Sequence, residues 1–241
     1  MKDVVTACGL CKSFDIDARP RRSVRVLDDI SLSVPAGEFV SIVGPSGSGK
    51  STLLYCLAGL MDATSGTVSL MGNDLSTLRR EAVAKLRRAH AGFVFQSFCL
   101  IPSLNVADNV ALPSRLAGKK VSAQVVEELL DQVGLGGRGL DRVQALSGGE
   151  QQRVAVARAL AGTSDVIFAD EPTGSLDSKS GANVLSLLKE SNTRQGRTVV
   201  LVTHDLSAAA LADRAIVIRD GKLAAEESRP TTERLFELVG V

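Results

Sequence analysis

Gly44-Pro45-Ser46-Gly47-Ser48-Gly49-Lys50-Ser51-Thr52 has the G-x-x-x-x-G-K-[ST] spacing of a phosphate-binding loop. Gly44, Gly47 and Gly49 let the backbone bend tightly and approach phosphate oxygens with no Cβ in the way, so that successive N–H groups converge on an anion. Lys50 is placed to reach β and γ oxygens, Ser51 to ligate Mg²⁺, and Thr52 adds one more donor. An ordinary Gly/Ser turn would account for the glycines but not for Lys-Ser-Thr at a helix start. The implied ligand is ATP or GTP.

Two further constellations could act on such a ligand. Val166-Ile167-Phe168-Ala169-Asp170-Glu171 is an apolar run ending in adjacent carboxylates. Neighbouring strand residues point to opposite sides, so Asp170 is expected to hold the Mg²⁺ shell while Glu171 reaches an attacking water from another direction. A solvated acidic pair before Pro172 is the plainer reading, and it weakens beside a phosphate loop. Leu146-Ser147-Gly148-Gly149-Glu150-Gln151-Gln152-Arg153 opens a helix, with Ser147 and Glu150 at capping-box spacing. A cap alone leaves the glycines unexplained. Gly148 and Gly149 each cost about 1 kcal/mol relative to Ala inside a helix, a cost easier to understand if a phosphate approaches that N-terminus. His204 follows an apolar strand and is expected at the same sheet edge, although a lone His is most often structural.

These groups need a scaffold. Phe39 to Val43 is a β-branched strand feeding the glycine loop, and Leu53 to Ala58 is an apolar helical stretch leaving it. Val4 to Cys8, Val24 to Val34 and Thr67 to Met71 also read as strands, the last as an antiparallel edge strand between Ser65-Gly66 and Gly72-Asn73. Asp15 to Arg25, with four arginines around Pro20, reads as a solvated loop. Phe93 to Phe95 is a short strand ending at Gln96. Val106 to Leu116 and Ser122 to Val133 are helical. Strand Val166 to Ala169, helix Ser178 to Asn192, strand Thr198 to Val202, helix Leu206 to Ala212 and strand Arg214 to Ile218 then alternate. That rhythm predicts an α/β fold with a parallel sheet, covered on both faces and presenting ligand groups at the strands' carboxyl ends.

The chain has 241 residues, 44% of them hydrophobic, enough for a substantial core. No apolar run approaches the roughly 18 residues of a membrane span, and the start lacks a signal-peptide core, so a cytosolic location is expected. A net charge of +1, 3% aromatic content and no Trp argue against nucleic acid as a partner. Cys8-Gly9-Leu10-Cys11 has zinc-like or redox-like spacing without a second ligand pair, so both read as reduced strand residues. Cys56 and Cys99 lie in apolar surroundings and read as core, and His90 in its charged stretch reads as surface.

In this order the elements resemble the nucleotide-binding domain of an ABC transporter, over essentially the whole chain. Gly44 to Thr52 match Walker A, Gln96 the Q-loop, Leu146 to Gln151 the signature, Val166 to Asp170 Walker B with Glu171 following, Ser175-Leu176-Asp177 the D-loop, and His204 the switch histidine. The resemblance implies a P-loop NTPase (RecA-like) core, an N-terminal antiparallel β subdomain and an inserted helical subdomain. The whole of 1–241 would be one ATPase domain, with 1–96 and 160–241 forming the core and β parts and about 97–159 the helical part. It implies ATP and Mg²⁺ as cofactors and a head-to-tail dimer with a second ATPase subunit, one protomer's Walker A facing the other's Ser147, Gly148 and Gly149. Glu171 would be the general base, His204 would contact the γ-phosphate and Asp177 would link the two sites. Gln96 would couple Mg²⁺ and water to the helical subdomain, and Phe14 would stack on adenine.

Gly92 to Phe98, Pro102 to Leu104, Asp108 to Pro113 and Ala169 to Asp177 are similar to the MacB/LolD/FtsE branch. Ser175 and Cys99 stand where that branch commonly has Asn, and Asp141 to Ala145 lacks the usual Pro. The resemblance implies a subunit on the cytoplasmic side of the membrane. It would power a separate permease with few spans and an extracytoplasmic domain, acting on lipoprotein, lipid, peptide or drug. The same ATPase could instead drive a non-transporting complex that controls a cell-envelope hydrolase or sensor kinase. A soluble ABC protein of DNA repair or translation is disfavoured, since those carry coiled-coil insertions or tandem domains.

Overall fold

A computed structural model describes residues 2–15, 23–162 and 164–240. In chain order its elements are β1 (Asp3–Asp15), β2 (Ser23–Pro35), β3 (Phe39–Val43), α1 (Lys50–Leu57), β4 (Ser65–Leu70), β5 (Asn73–Asp74), α2 (Arg80–His90) and β6 (Ala91–Val94). There follow α3 (Val106–Leu116), α4 (Ala123–Gln132), α5 (Gly148–Ala161), β7 (Val166–Asp170), α6 (Ser178–Gln195) and β8 (Thr198–Val202). The chain closes with α7 (Leu206–Ala209), β9 (Arg214–Arg219), β10 (Lys222–Ser228) and α8 (Thr232–Val239). It divides into two compact units, Met1–Arg87 with Val200–Val241, and Arg88–Val199.

In the first unit an antiparallel sheet has the order β2-β1-β4-β5. Its long β1–β2 pairing runs from Asp3 opposite Pro35 to Asp15 opposite Ser23, so β1 extends well past the Val4 to Cys8 run expected from sequence, while β2 adds only one residue at each end of Val24 to Val34. Most of the solvated loop expected at Asp15 to Arg25 lies outside the described residues; Asp15 and Ser23 to Arg25 are strand. A second sheet carries β3 parallel to β9, with Val40 opposite Arg214 and Val43 opposite Val217, and β10 returns antiparallel to β9. Every residue of β3 is buried. That is why it reads as a mainly apolar run, and burying each Val or Ile side chain contributes about 1.5–3 kcal/mol. Ser41, buried among them, donates its hydroxyl to Ala209 O at 3.1 Å. Leu235 and Val239 of α8 pack with Val43, Ala209, Ala215 and Val217 into one apolar cluster.

The second unit holds β6 parallel to β7, from Ala91 opposite Val166 to Val94 opposite Ala169, and α5 packs against α3, α4 and β6. Phe93 stacks on Phe95 and on Phe168, with ring centroids 5.4 and 5.8 Å apart. Eight α-helices with an antiparallel and a mainly parallel sheet, among the described residues, give the expected mixed α/β architecture.

Three local expectations change. Cys99 is exposed rather than core: its φ of 50° turns the chain so that its carbonyl, not its side chain, faces inward. His90 is only partly exposed, its Nδ1 2.7 Å from Asp165 Oδ2. Glu171 lies beyond the end of β7 with φ 48°, so a left-handed turn, not strand alternation, sets its direction relative to Asp170.

Candidate functional site

The first unit carries the glycine loop. Gly44 is buried at the end of β3 with φ 151°, and a Cβ there would lie 2.0 Å from Ile218 O, so the loop can leave the strand only as glycine. At the other end Gly49 (φ 100°) serves as N-cap of α1, where a Cβ would crowd Leu27 and Val26 O at 2.9 Å. Gly221 N donates to Ser48 O at 3.2 Å and ties the loop to the β9–β10 hairpin. Lys50 Nζ donates to Gly44 O at 2.9 Å and to Pro45 O at 2.8 Å, so the ammonium is folded over the loop's own carbonyls.

The start of α1 differs from those of α3 to α8. Each of these is capped by a side chain, from Asn105, Ser122, Ser147, Asp177, Asp205 and Thr231 respectively. The first turn of α1 has neither a side-chain cap nor an acidic residue. The Ser48 hydroxyl is buried and has no hydrogen-bond partner among the described residues. Uncapped N–H groups at the positive end of a helix, a buried unpaired hydroxyl and a lysine within reach fit a polyphosphate. Pro45, Ser46 and Gly47 are exposed; Ser51 and Thr52 are half-buried in the first turn of α1.

Phe14 lies near the end of β1, 39% exposed, with Lys12 Nζ 5.0 Å from its ring centroid. Lys12 also donates to Asp62 O at 2.8 Å, which fixes the ammonium over the ring. Such a pair contributes about 0.5–1 kcal/mol at an exposed site. His204 is exposed in the tight turn after β8. Thr203 Oγ1 accepts from Asp205 N at 3.0 Å, and the Asp205 carboxylate caps α7 by accepting from Ser207 N and Ala208 N.

The second unit brings together the segment after Gln96, the start of α5 and the start of α6. Asp170 is 1% exposed at the carboxyl end of β7, and Glu171 follows in its left-handed turn. Ser147 caps α5 in a full capping box with Glu150. A Cβ on Gly149 would lie 3.3 Å from Leu176 and 3.6 Å from Ser175 O, so the Ser175-Leu176-Asp177 segment packs directly on the start of α5. Asp177 Oδ1 accepts from Lys179 N at 3.1 Å and Ser180 N at 3.0 Å as the cap of α6. Its hydrogen bonds, those to Ser180 first, hold its pKa below the ordinary value. Gln96 itself is exposed.

Two residues assigned no site role from sequence shape this unit. Asn109 of α3 is fully buried and closes the 101–105 loop: its Oδ1 accepts from Ile101 N at 2.8 Å, and its Nδ2 donates to the carbonyls of Ile101, Leu104 and Asn105. In sequence it shows as a polar residue on the apolar side of a helix, within the Asp108 to Pro113 stretch that carries the subfamily resemblance. Arg138 pairs with both Glu150 and Asp141, setting a positive charge against the capping-box carboxylate.

The family model described as "ABC transporter" matches residues 27–174. The chain is 52% identical to the uncharacterized ABC transporter ATP-binding protein YbbA of Escherichia coli K12, over 83% of this chain and 89% of that protein. It is 43% identical to the macrolide export ATP-binding/permease protein MacB of Psychrobacter cryohalolentis, over 97% of this chain but 35% of that protein. Among solved structures, the dimeric post-hydrolysis state of the ATP-binding cassette MJ0796 bound to ADP and Pi superposes with a TM-score of 0.88 at 39% identity, covering 94% of this chain and 99% of that one. A phosphate loop built for a triphosphate, on a fold shared with a cassette bound to hydrolysis products, makes this chain an ATP-binding and ATP-hydrolysing subunit, and it belongs to the ABC transporter family in the MacB/LolD branch.

Proposed function

We propose that this ATPase powers a separate membrane permease for export or extraction of lipoprotein, lipid, peptide or drug from the cytoplasmic side of the cell membrane. The observation that carries the reading is a difference between relatives. The one named ATP-binding/permease protein is about three times the length that this chain spans, whereas the relative named only ATP-binding protein is spanned over 89% of its length. Among the described residues no helix is long and apolar enough to cross a membrane. The permease would have few spans and an extracytoplasmic domain. Two ATPase chains would pair, as in the dimeric relative, and their closure would pass to the permease through the helical part at about 97–159 of a single 1–241 domain.

In the site we assign, residues 44–52 cradle the phosphates and Phe14 stacks on adenine. Ser147, Gly148 and Gly149 complete the partner's site, and Asp177 links the two sites. Ser51, Asp170 and Gln96 would hold Mg²⁺, which when bound supplies positive charge to the β- and γ-phosphate oxygens. Glu171 takes the proton of the attacking water as general base, while Lys50 and His204 offer donors to the γ-phosphate as negative charge shifts toward the leaving oxygen. A buried Asp170 beside a Glu171 turned out of the strand supports this division between holding and proton transfer.

The test is a pull-down from detergent-solubilised native membranes with tagged Glu171→Gln, ATP and Mg²⁺. Recovery of a permease, alone or with export components, supports the reading. A permease with a cell-envelope hydrolase or sensor kinase moves the function to control of that enzyme, and ribosomal or DNA-associated proteins alone overturn the permease assignment.

A further inference from the structure

Arg158 sits on the packed side of α5, 8% exposed. Its described partners are two backbone carbonyls and no carboxylate: Nη2 donates to Phe98 O at 2.8 Å and Nη1 to Cys99 O. A buried guanidinium without a counter-charge is costly, and burial holds its pKa below the ordinary value. A Met or Leu would fill the same space without that penalty. The cation therefore marks a place where fixing two carbonyls matters more than packing.

Those carbonyls belong to strained backbone. Phe98 and Cys99 are consecutive non-glycine residues at φ 62° and 50°, a conformation that persists only when its surroundings over-determine it. Phe98 N donates to Phe95 O at 3.1 Å and Cys99 N to Ser97 O at 2.6 Å, so the chain doubles back immediately after Gln96. At its other end the Phe98 ring lies against the start of α5: a Cβ on Gly148 would be 3.7 Å from Phe98 Cζ. Ten residues, about 15 Å of helix, separate Gly148 from Arg158. One loop residue thus touches α5 at both places, its carbonyl at Arg158 and its ring at Gly148.

We infer that Arg158 is a positioning residue for ATP hydrolysis. Its planar fork pins the Phe98–Cys99 backbone to α5 and so sets Gln96 relative to Ser147, Gly148 and Gly149. The inference rests on the assignment of Gln96 and of 147–149 to the nucleotide site. Lys retains the charge but is a single point on a flexible stem and does not reproduce the fork.

The test uses the purified full chain as wild type, Arg158→Lys and Gln96→Ala, with Arg158→Met available should the lysine variant unfold. Arg158→Lys should raise amide hydrogen exchange across 96–104 at least tenfold while peptides from β3 and β7 exchange as in wild type. It should lower kcat at least tenfold with ATP affinity, read with a fluorescent ATP analogue, within twofold. Unchanged exchange at 96–104, or a kcat within threefold of wild type, overturns the inference. So does a parallel fall of kcat, ATP affinity and Tm, which would make Arg158 a fold-stabilising residue only. Gln96→Ala decides the underlying assignment separately: wild-type turnover there removes Gln96 from the chemistry, whatever exchange Arg158→Lys shows.

Discussion

The Glu150 carboxylate accepts both the backbone N–H and the hydroxyl of Ser147, each at 2.8 Å, so the serine assigned to a partner's phosphate is also the cap of its own helix. The Ser147 backbone bond, then its hydroxyl, depress the Glu150 pKa, and Arg138 adds to the effect. With a depressed folded pKa, the contribution of this box is fully present above the ordinary carboxylate range. It is lost only as pH falls through the folded value.

Capping by Ser147 and the phosphate contact proposed for it can therefore be separated. Ser147→Ala should lose about 1 kcal/mol of stability together with hydrolysis. Ser147→Asn, an equally good cap, should restore the urea midpoint but leave hydrolysis at least tenfold down. Recovery of both by Asn would reduce Ser147 to a cap.

Glu171→Gln should bind ATP within twofold of wild type and hydrolyse it about 10²–10⁴-fold more slowly, the range for loss of a general base. Glu171→Gly, which relieves the left-handed strain at φ 48°, should match or exceed the wild-type Tm while also losing turnover. Steady-state kinetics and a thermal melt on both variants suffice. Near-normal turnover in Glu171→Gln removes Glu171 from the base role.

Within the phosphate loop the glycines should not respond alike. Gly44→Ala forces a Cβ into backbone, 2.0 Å from Ile218 O, and should destabilise the protein by roughly 3 kcal/mol or more and abolish ATP binding. Gly47, at φ 78° with nothing within 4 Å of a Cβ, should lose only about 1–2 kcal/mol on substitution by Ala. Urea titration distinguishes the two, and equal losses would refute the geometry.

Cys56 is buried, and burial pushes its thiol up to about 11, whereas Cys8 and Cys99 are exposed. Thiol titration of the native protein at pH 8 should modify Cys8 and Cys99 quickly and Cys56 only on unfolding. Because the folded pKa is raised, the thiol's contribution to stability is whole below its unfolded value of about 8.5 and is lost as pH rises toward the folded one. The urea midpoint of wild type should thus fall more between pH 8 and 10 than that of Cys56→Ala. Identical slopes would mean that Cys56 ionises freely in the folded state.

Much of the candidate site was legible in the sequence. The spacing of Gly44, Gly49, Lys50 and Ser51, the apolar runs 39–43, 166–170 and 198–202 and the Ser147–Glu150 box all express local rules, written within a few residues. Parallel strands buried on both faces read as mainly apolar runs, and a helix cap is satisfied within four residues. Elements without such a signature escaped. No residue of α2 is buried, so its sequence reads as a charged stretch, and β10 is half-exposed along its length as the outer strand beside β9.

The amino-acid sequence alone determined a triphosphate-binding α/β fold and the residue types at its chemistry, because those depend on local spacing, while ATPase activity was implied by the family resemblance. Only the tertiary structure decided that Glu171 leaves its strand through a left-handed turn, that Cys99 faces solvent, and that Arg158 holds the carbonyls of Phe98 and Cys99. The guanidinium of Arg158 meets a loop some sixty residues earlier in the chain. Such a contact costs loop-closure entropy and leaves no periodicity, so it comes into being only when packing repays that cost.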